Sequence, residues 1–220
     1  MGGQKEDMPI AKPEPETLSK AEGKKLRRVV VGITGASGAL YTLRTIRMLV
    51  LSGYSLEIIM SEYAHYTLYK ECGVELKPST IKSVFPDVIY SESGFTFNNN
   101  LDLKSSLLYE IPDIRAMVVV PCSTNYISGI ASGSRRNLIE KAADMFLSYH
   151  KPLVLVPRES PLNQIQVKNM LKILNAGGRL VPAMPQFDNI PTSFNDLADN
   201  IAKIVLDMLD IQAPEDTHAN

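Results

Sequence analysis

The sequence has few of the residues that mark several classes of protein. Its 220 residues include no tryptophan, three histidines and two cysteines, and the formal net charge is −1. Two cysteines, Cys72 and Cys122, are too few for a disulfide framework or a cysteine-rich metal site. Lysine and arginine are scattered, which argues against nucleic-acid binding. No apolar run reaches membrane-spanning length and the N-terminus lacks an apolar signal core, so we expect no membrane segment and a cytoplasmic location.

Composition divides the chain into three parts. Residues 1–26 are rich in proline, glutamate and lysine and poor in large apolar side chains, which predicts a disordered tail. The last stretch, 212–220, has a similar composition and predicts a second tail. Residues 27–211 between them predict one globular domain.

Within that domain, apolar runs alternate with segments of helical periodicity. The runs at 27–33, 55–60, 116–120, 152–157 and 179–182 predict strands, and the segments 39–52, 62–72, 137–149, 162–176 and 194–209 predict helices. In the weakly periodic stretch 74–113 we expect one strand near 83–90 and a loop over 93–106. The alternation predicts an α/β fold, a parallel sheet with helices on both faces.

Four unusual turns follow predicted strands, and a parallel sheet brings strand ends of this kind to the one edge where ligands bind. The first turn, "GITGASGA", offers the permissive backbone of Gly35 and Gly38, the hydroxyls of Thr34 and Ser37, and the N–H groups of the helix that follows. It fits a phosphate site, and equally a tight turn with a serine cap. Ser61 ends the second strand.

The other two turns, "VVPCSTN" and "LVPRESP", carry polar groups of different kinds. Ser123 and Thr124 can bind the polar edge of a ring or cap a helix. Cys122 can be a nucleophile or a buried thiol, and the absence of a nearby histidine favours the thiol. Arg158 can clamp a phosphate or a ring carbonyl, or pair with Glu159 to orient the loop. Taken together, the turns favour a mononucleotide-like ligand.

Seven blocks in a fixed order resemble the flavin prenyltransferase family, the UbiX-type members of a wider group of FMN-binding flavoproteins. They are "GITGASGALY", "VVPCSTN", "NLIEKAAD", "PLVLVPRESPL", "NMLKI", "GG" and "PAMPQF". The resemblance implies a flavodoxin-like Rossmann three-layer sandwich, FMN as cofactor and a trimer-based homo-oligomer, often a dodecamer. A tyrosine stripe at residues 63, 66 and 69 predicts an oligomer contact.

The resemblance also implies roles for individual residues. The FMN site would include Gly35, Ala36, Ser37, Ser61, Ser123, Thr124 and Arg158. Ser37, Glu71 and Glu159 would be catalytic. The implied reaction transfers the dimethylallyl group of dimethylallyl phosphate to reduced FMN, and the prenylated FMN then serves a UbiD-type decarboxylase.

Four positions depart from the family pattern, all where it binds the substrate phosphate. Lys141 replaces an arginine, Ser148 a lysine, Asp188 a tyrosine and Ile204 a basic residue. An aspartate near a phosphate repels it, by roughly 4 kcal/mol for unit charges about 4 Å apart at an effective dielectric of about 20. An FMN-dependent oxidoreductase or decarboxylase, or a flavin carrier subunit, that has lost the prenyl-phosphate site therefore remains an alternative.

Overall fold

The structure, a computed structural model, describes residues 27–86, 88, 94–187 and 190–214. Its centre is a six-stranded sheet in which every pairing is parallel. The strands are β1 (Arg28–Ile33), β2 (Ser55–Met60), β3 (Phe95–Asn99), β4 (Ala116–Cys122), β5 (Leu153–Pro157) and β6 (Arg179–Leu180). They lie in the order β3-β2-β1-β4-β5-β6, the arrangement of doubly wound nucleotide-binding sheets.

Helices cover both faces of the sheet. They are α1 (Ala39–Leu51), α2 (Glu62–Cys72), α3 (Ile81–Val84), α4 (Leu107–Glu110), α5 (Thr124–Ala131), α6 (Leu138–Ser148), α7 (Gln164–Asn175) and α8 (Phe194–Met208), with a 3-10 turn at Ile111–Asp113. Successive strand residues enter opposite cores, so Val29 and Val31 pack with α1 and α8 while Val30 packs with α5 and α6. The predicted three-layer α/β sandwich is confirmed.

Local sequence signals account for the helix boundaries. Ser61 accepts a hydrogen bond from the backbone N–H of Ala64 at the start of α2, and Gly73 ends that helix in the left-handed conformation. Capping boxes built on Asn163 and Ser193 start α7 and α8. The predicted helices consequently agree with the observed ones to within about two residues.

The stretch 74–113 differs from the prediction. The described residues of the expected strand near 83–90 form the end of α3 and a turn, so that strand is wrong where it can be compared. The third strand is instead β3, inside the expected loop. Among the described residues β3 pairs with β2 alone and is an edge strand. Thr96 and Asn99 remain exposed, and the segment lacks an apolar run.

The described part of the chain limits two kinds of site. None of its helices combines the length and apolarity needed to cross a bilayer. Its histidine, cysteine, aspartate and glutamate side chains form no group of three or more that could hold a metal ion. The N-terminal tail predicted over 1–26 lies outside the described residues. Of the C-terminal tail, 212–214 are described, and the Ser52 hydroxyl donates to the carbonyl of Gln212.

Candidate functional site

Four turns meet at the carboxyl edge of the sheet. The strand order reverses between β1 and β4, and ligands of open α/β sheets bind above such a point. The turns after β1 and β4 lie on either side of it, the turn after β5 is next to β4, and Ser61 follows β2 on the other side. The structure thus places the four predicted turns along one edge.

The first turn packs too closely for side chains at two of its positions. A Cβ on Gly35 would lie 2.3 Å from Cβ of Tyr63, at the start of α2. A Cβ on Gly38 would lie 2.8 Å from the ring of Tyr41, and the φ of Gly38 is +117°. Ala36 and Ser37 are half-buried between these glycines.

Glu71 supplies the anion at the start of α1. Its Oε2 accepts hydrogen bonds of 2.8 Å from the backbone N–H groups of both Gly38 and Ala39. The expectation that these N–H groups are free for a ligand phosphate is therefore wrong, because a glutamate from α2 already occupies the helix end. No local pattern in the sequence shows this, since the partners are more than 30 residues apart along the chain.

Glu71 also brings the first and third turns together electrostatically. Desolvation raises the pKa of Glu71. The hydrogen bonds from the Ser37 side chain and from the Ala39 and Gly38 backbone, together with the charge of Arg158, lower the pKa by more than desolvation raises it. The net result is a pKa below the ordinary value of 4.5. Ser37, Glu71 and Arg158, which the resemblance assigned to the site, are therefore neighbours.

The turn after β4 is tied to the turn after β1 by Thr34. The Thr34 hydroxyl donates to the carbonyl of Pro121 at 2.8 Å and accepts from the backbone N–H of Ser123 at 2.9 Å. Ser123 precedes α5 but its side chain makes no capping hydrogen bond, and both Ser123 and Thr124 are half-buried. Burial raises the pKa of the Cys122 thiol, which fits a structural thiol rather than a nucleophile.

Ser61 is more buried, and makes more hydrogen bonds within the protein, than we expect of a ligand-binding residue. Its side chain is buried, accepts from Ala64 N at 3.2 Å and is hydrogen-bonded to Tyr126. Asn100 donates to the same Tyr126 hydroxyl at 3.1 Å. Sequence reasoning did not single out Tyr126, whose position one turn into α5 looks like ordinary helix packing.

The third turn borders a cavity of about 540 Å³. Arg158 and Glu159 line it with Leu162, Met170 and Met184. No ion pair joins Arg158 to Glu159, both of which the structure describes, so the loop-orienting pair is not formed. Glu159 accepts from the backbone N–H of Ser160 instead, and Cδ of Arg158 lies 3.6 Å from the Cβ position of Gly38.

The three substrate-phosphate positions that the structure describes are spread over two helices, α6 and α8, on opposite faces of the sheet. Lys141 Nζ donates to the carbonyl of Leu103 at 2.9 Å. Ser148 ends α6 at the opposite edge of the sheet, where its hydroxyl donates to the carbonyl of Asp144. Ile204 packs against the core on α8, and Asp188 lies outside the described residues.

Comparison with known proteins identifies the family. The Flavoprotein family model matches residues 17–206. A flavin prenyltransferase UbiX from Pseudomonas aeruginosa is 37% identical over 193 residues, covering 86% of this chain and 91% of the relative. Another UbiX, from Halalkalibacterium halodurans, is 36% identical over 183 residues, 83% and 88% of the two chains. The chain belongs to the UbiX family of flavoproteins.

Solved structures agree with this assignment. AnUbiX (PadA1), solved with FMN and dimethylallyl pyrophosphate, matches with a TM-score of 0.75 and 29% identity, covering 89% of this chain and 98% of that one. A dodecameric FMN-dependent UbiX-like decarboxylase from Escherichia coli O157:H7 matches with a TM-score of 0.73 and 28% identity, covering 87% and 100%. The flavodoxin-like fold expected from the resemblance is confirmed.

The edge of this UbiX-family chain fits a flavin nucleotide. Its glycine turn packs directly against Tyr63 and Tyr41, which holds the backbone of residues 35–38 in place at this edge. The adjoining cavity is within the usual range for small-molecule sites, about 300–1,000 Å³. Ser123, whose side chain is not used as a helix cap, and the cation of Arg158 supply polar partners.

Proposed function

We propose that this protein is a flavin prenyltransferase that transfers the dimethylallyl group of dimethylallyl phosphate to reduced FMN. The observation that carries the proposal is that Ser37, Glu71 and Arg158 lie together beside a glycine turn. The similarity of the chain to UbiX proteins, which extends over nearly the whole domain, supports it. The product would be prenylated FMN, the cofactor of a UbiD-type decarboxylase.

Reduced FMN, when bound, would supply the nucleophilic ring positions N5 and C6. The chain has to stabilise a departing phosphate and to move a proton while the new ring closes. Arg158 supports the first task, because it is a permanent cation at the border of the cavity. Glu71 supports the second through its position, since it is hydrogen-bonded to the side chain of Ser37 and can hold that hydroxyl in one orientation.

Like the other residue roles, those of Glu159, Lys141 and Ser148 are predictions of this proposal. Glu159 would assist catalysis from the cavity wall, where it is exposed. Lys141 and Ser148 would contribute little to phosphate binding within their own subunit, because each donates to a backbone carbonyl of the same chain.

The relatives do not favour the alternative of an oxidoreductase, decarboxylase or carrier that has lost the prenyl-phosphate site.

The same proposal includes a homo-oligomer built from copies of this chain. A structural neighbour is described as dodecameric. Tyr63, Tyr66 and Tyr69 on α2 are each more than 60% exposed, and α7 exposes Ile165, Val167, Leu171 and Leu174. Exposed apolar surface on this scale is typical of protein–protein contacts. The cytoplasmic location expected from the sequence stays a prediction.

The decisive experiment mixes the protein with reduced FMN and dimethylallyl phosphate without oxygen and weighs the flavin. We expect a flavin heavier by one prenyl unit. The Glu71→Gln variant should bind FMN and lose roughly 100-fold in rate, the usual contribution of one acid–base group. Glu62→Gln, an exposed carboxylate at the start of the same helix, is the control and should react normally. An unchanged flavin mass with FMN bound to the wild type would overturn the proposal.

A further inference from the structure

The ladder between β1 and β4 ends before either strand does. The last paired residues are Gly32 and Val119, and the β4–β5 register is irregular between Val119 and Cys122. The carbonyls of Val120 and Pro121 consequently lie beyond the last paired residues, where the backbone N–H of Thr34 still reaches the Pro121 carbonyl, at 3.3 Å. A buried carbonyl without a partner is costly, so these groups need donors from elsewhere.

Two buried threonines supply those donors. Thr42 on α1 donates to the carbonyl of Val120 at 2.7 Å, and Thr34 donates to the carbonyl of Pro121 at 2.8 Å. Both side chains are at most 1% exposed. They thus make the same type of bond to consecutive carbonyls of the same strand.

Only Thr34 has a second partner in the next turn. Its oxygen accepts the backbone N–H of Ser123 at 2.9 Å, while its own residue is followed directly by Gly35. One hydroxyl is therefore hydrogen-bonded both to the end of β4 and to the turn beyond it. The same hydroxyl belongs to the residue at which the glycine turn begins. With the N–H of Ser123 held in this way, the direction of the Ser123 side chain is restricted.

We propose that Thr34 is a positioning residue for the cofactor, because its single hydroxyl sets the spacing between the Gly35–Ser37 turn and Ser123. The inference rests on the proposed FMN site and goes beyond it. Thr34 acts through the two turns and does not itself touch the ligand, since its hydroxyl is already used as both donor and acceptor.

The chain offers a matched pair of variants. Thr34→Val and Thr42→Val each replace a buried hydroxyl by a methyl of similar volume and remove one side-chain hydrogen bond to a β4 carbonyl, although the Pro121 carbonyl keeps the backbone N–H of Thr34 as a donor. Only the first also releases Ser123. Thr34→Ser keeps the hydroxyl and serves as the rescue. For each variant the dissociation constant for FMN is measured by flavin fluorescence, the visible circular dichroism of the bound flavin is recorded, and thermal unfolding without FMN is followed.

We expect Thr34→Val to weaken FMN binding by about tenfold, the effect of losing one hydrogen bond to a buried group. Its bound flavin should give an altered circular dichroism band. Thr42→Val should lose thermal stability as well, yet bind FMN within about twofold of the wild type, the agreement expected for an independent site. Thr34→Ser should restore both the affinity and the band.

Several results would overturn the inference. It fails if Thr34→Val binds FMN as the wild type does, or if the two valine variants lose affinity equally, which would indicate a packing effect. If Thr34→Val does not fold, Thr34→Ala is measured in its place, and failure of both while Thr42→Val folds would make Thr34 a folding residue only. A wild type that binds no FMN overturns the proposed function as well, whereas the other outcomes leave that function intact.

Discussion

At residue 71 a carboxylate takes the position at the start of α1 that a ligand anion takes in many nucleotide-binding sheets. A second anion there would meet the charge of Glu71, so we expect the phosphate of bound FMN to lie elsewhere along the edge. In the proposed function Ser123 and Thr124, at the start of α5, would hold that phosphate. The first turn is then free to contact the ring.

The lowered pKa of Glu71 leads to a prediction about acid stability. The unfolded chain protonates this glutamate near pH 4.5 and the folded chain only at lower pH, so between the two values the unfolded state binds more protons. The stabilisation is complete above pH 4.5 and is lost as the pH falls through the lowered value. We expect the unfolding free energy of Glu71→Gln to depend less on pH below 4.5 than that of the wild type, as urea titrations at several pH values would show. Identical slopes would contradict this.

Gly35 makes a second prediction possible at this scale. In Gly35→Ala the new Cβ would overlap Cβ of Tyr63 at the start of α2, so the turn and helix have to separate. We expect the free energy of unfolding to fall by about 1–3 kcal/mol, the usual cost of overpacking, with weaker FMN binding. Gly94→Ala is the control, since nothing lies within 4 Å of its Cβ position, and it should stay within about 0.5 kcal/mol of the wild type. Urea denaturation measures both, and equal losses would refute the explanation.

Among the helices, α7 leaves most of its large aliphatic side chains exposed. Ile173 is its one fully buried side chain, while Val167, Leu171 and Leu174 repeat at helical spacing on an exposed face. If another copy of the chain covers this face, Leu171→Glu should place a charge in the contact and yield smaller assemblies. Light scattering coupled to gel filtration measures the mass. The control is Lys168→Glu, which introduces the same residue at an exposed polar position and should leave the mass unchanged. An unchanged mass for Leu171→Glu as well would show that the face is not a contact.

The elements also show what the sequence could and could not predict. The start and end of α2 follow from Ser61 and Gly73, which act on neighbouring backbone groups. The strand β3 was missed because an edge position leaves a strand half polar. The bond from Glu71 to the start of α1 depends on how two helices meet on the finished sheet, and no spacing along the chain encodes it. The family resemblance assigned Glu71 to the site, but its hydrogen-bond partners can be seen only in the folded structure.

At the scale of the whole molecule, the described residues form one sheet with a core on each face, and the site belongs to neither core alone. Its turns come from chain segments that begin near residues 34, 61, 123 and 158, and only the doubly wound order makes them neighbours. The predicted turns could be found because each follows an apolar run, and the parallel sheet then determines that they share an edge. The substrate-phosphate positions could not be located in this way, since Ser148 ends its helix on the far side.

The extent of the folding unit gives the last prediction. The C-terminal segment after α8 is packed into the structure: Leu209 and Ile211 are at most 4% exposed, and Arg115 donates to the carbonyl of Asp210. A chain of residues 27–214 should therefore unfold with the same midpoint in urea as the full chain and bind FMN equally well. A chain ending at Met208 loses both aliphatic side chains and should be less stable by about 3–6 kcal/mol, from roughly 1.5–3 kcal/mol for each. If the 27–214 chain loses FMN binding, residues outside the domain boundaries predicted from the sequence contribute to the site, and those boundaries are wrong.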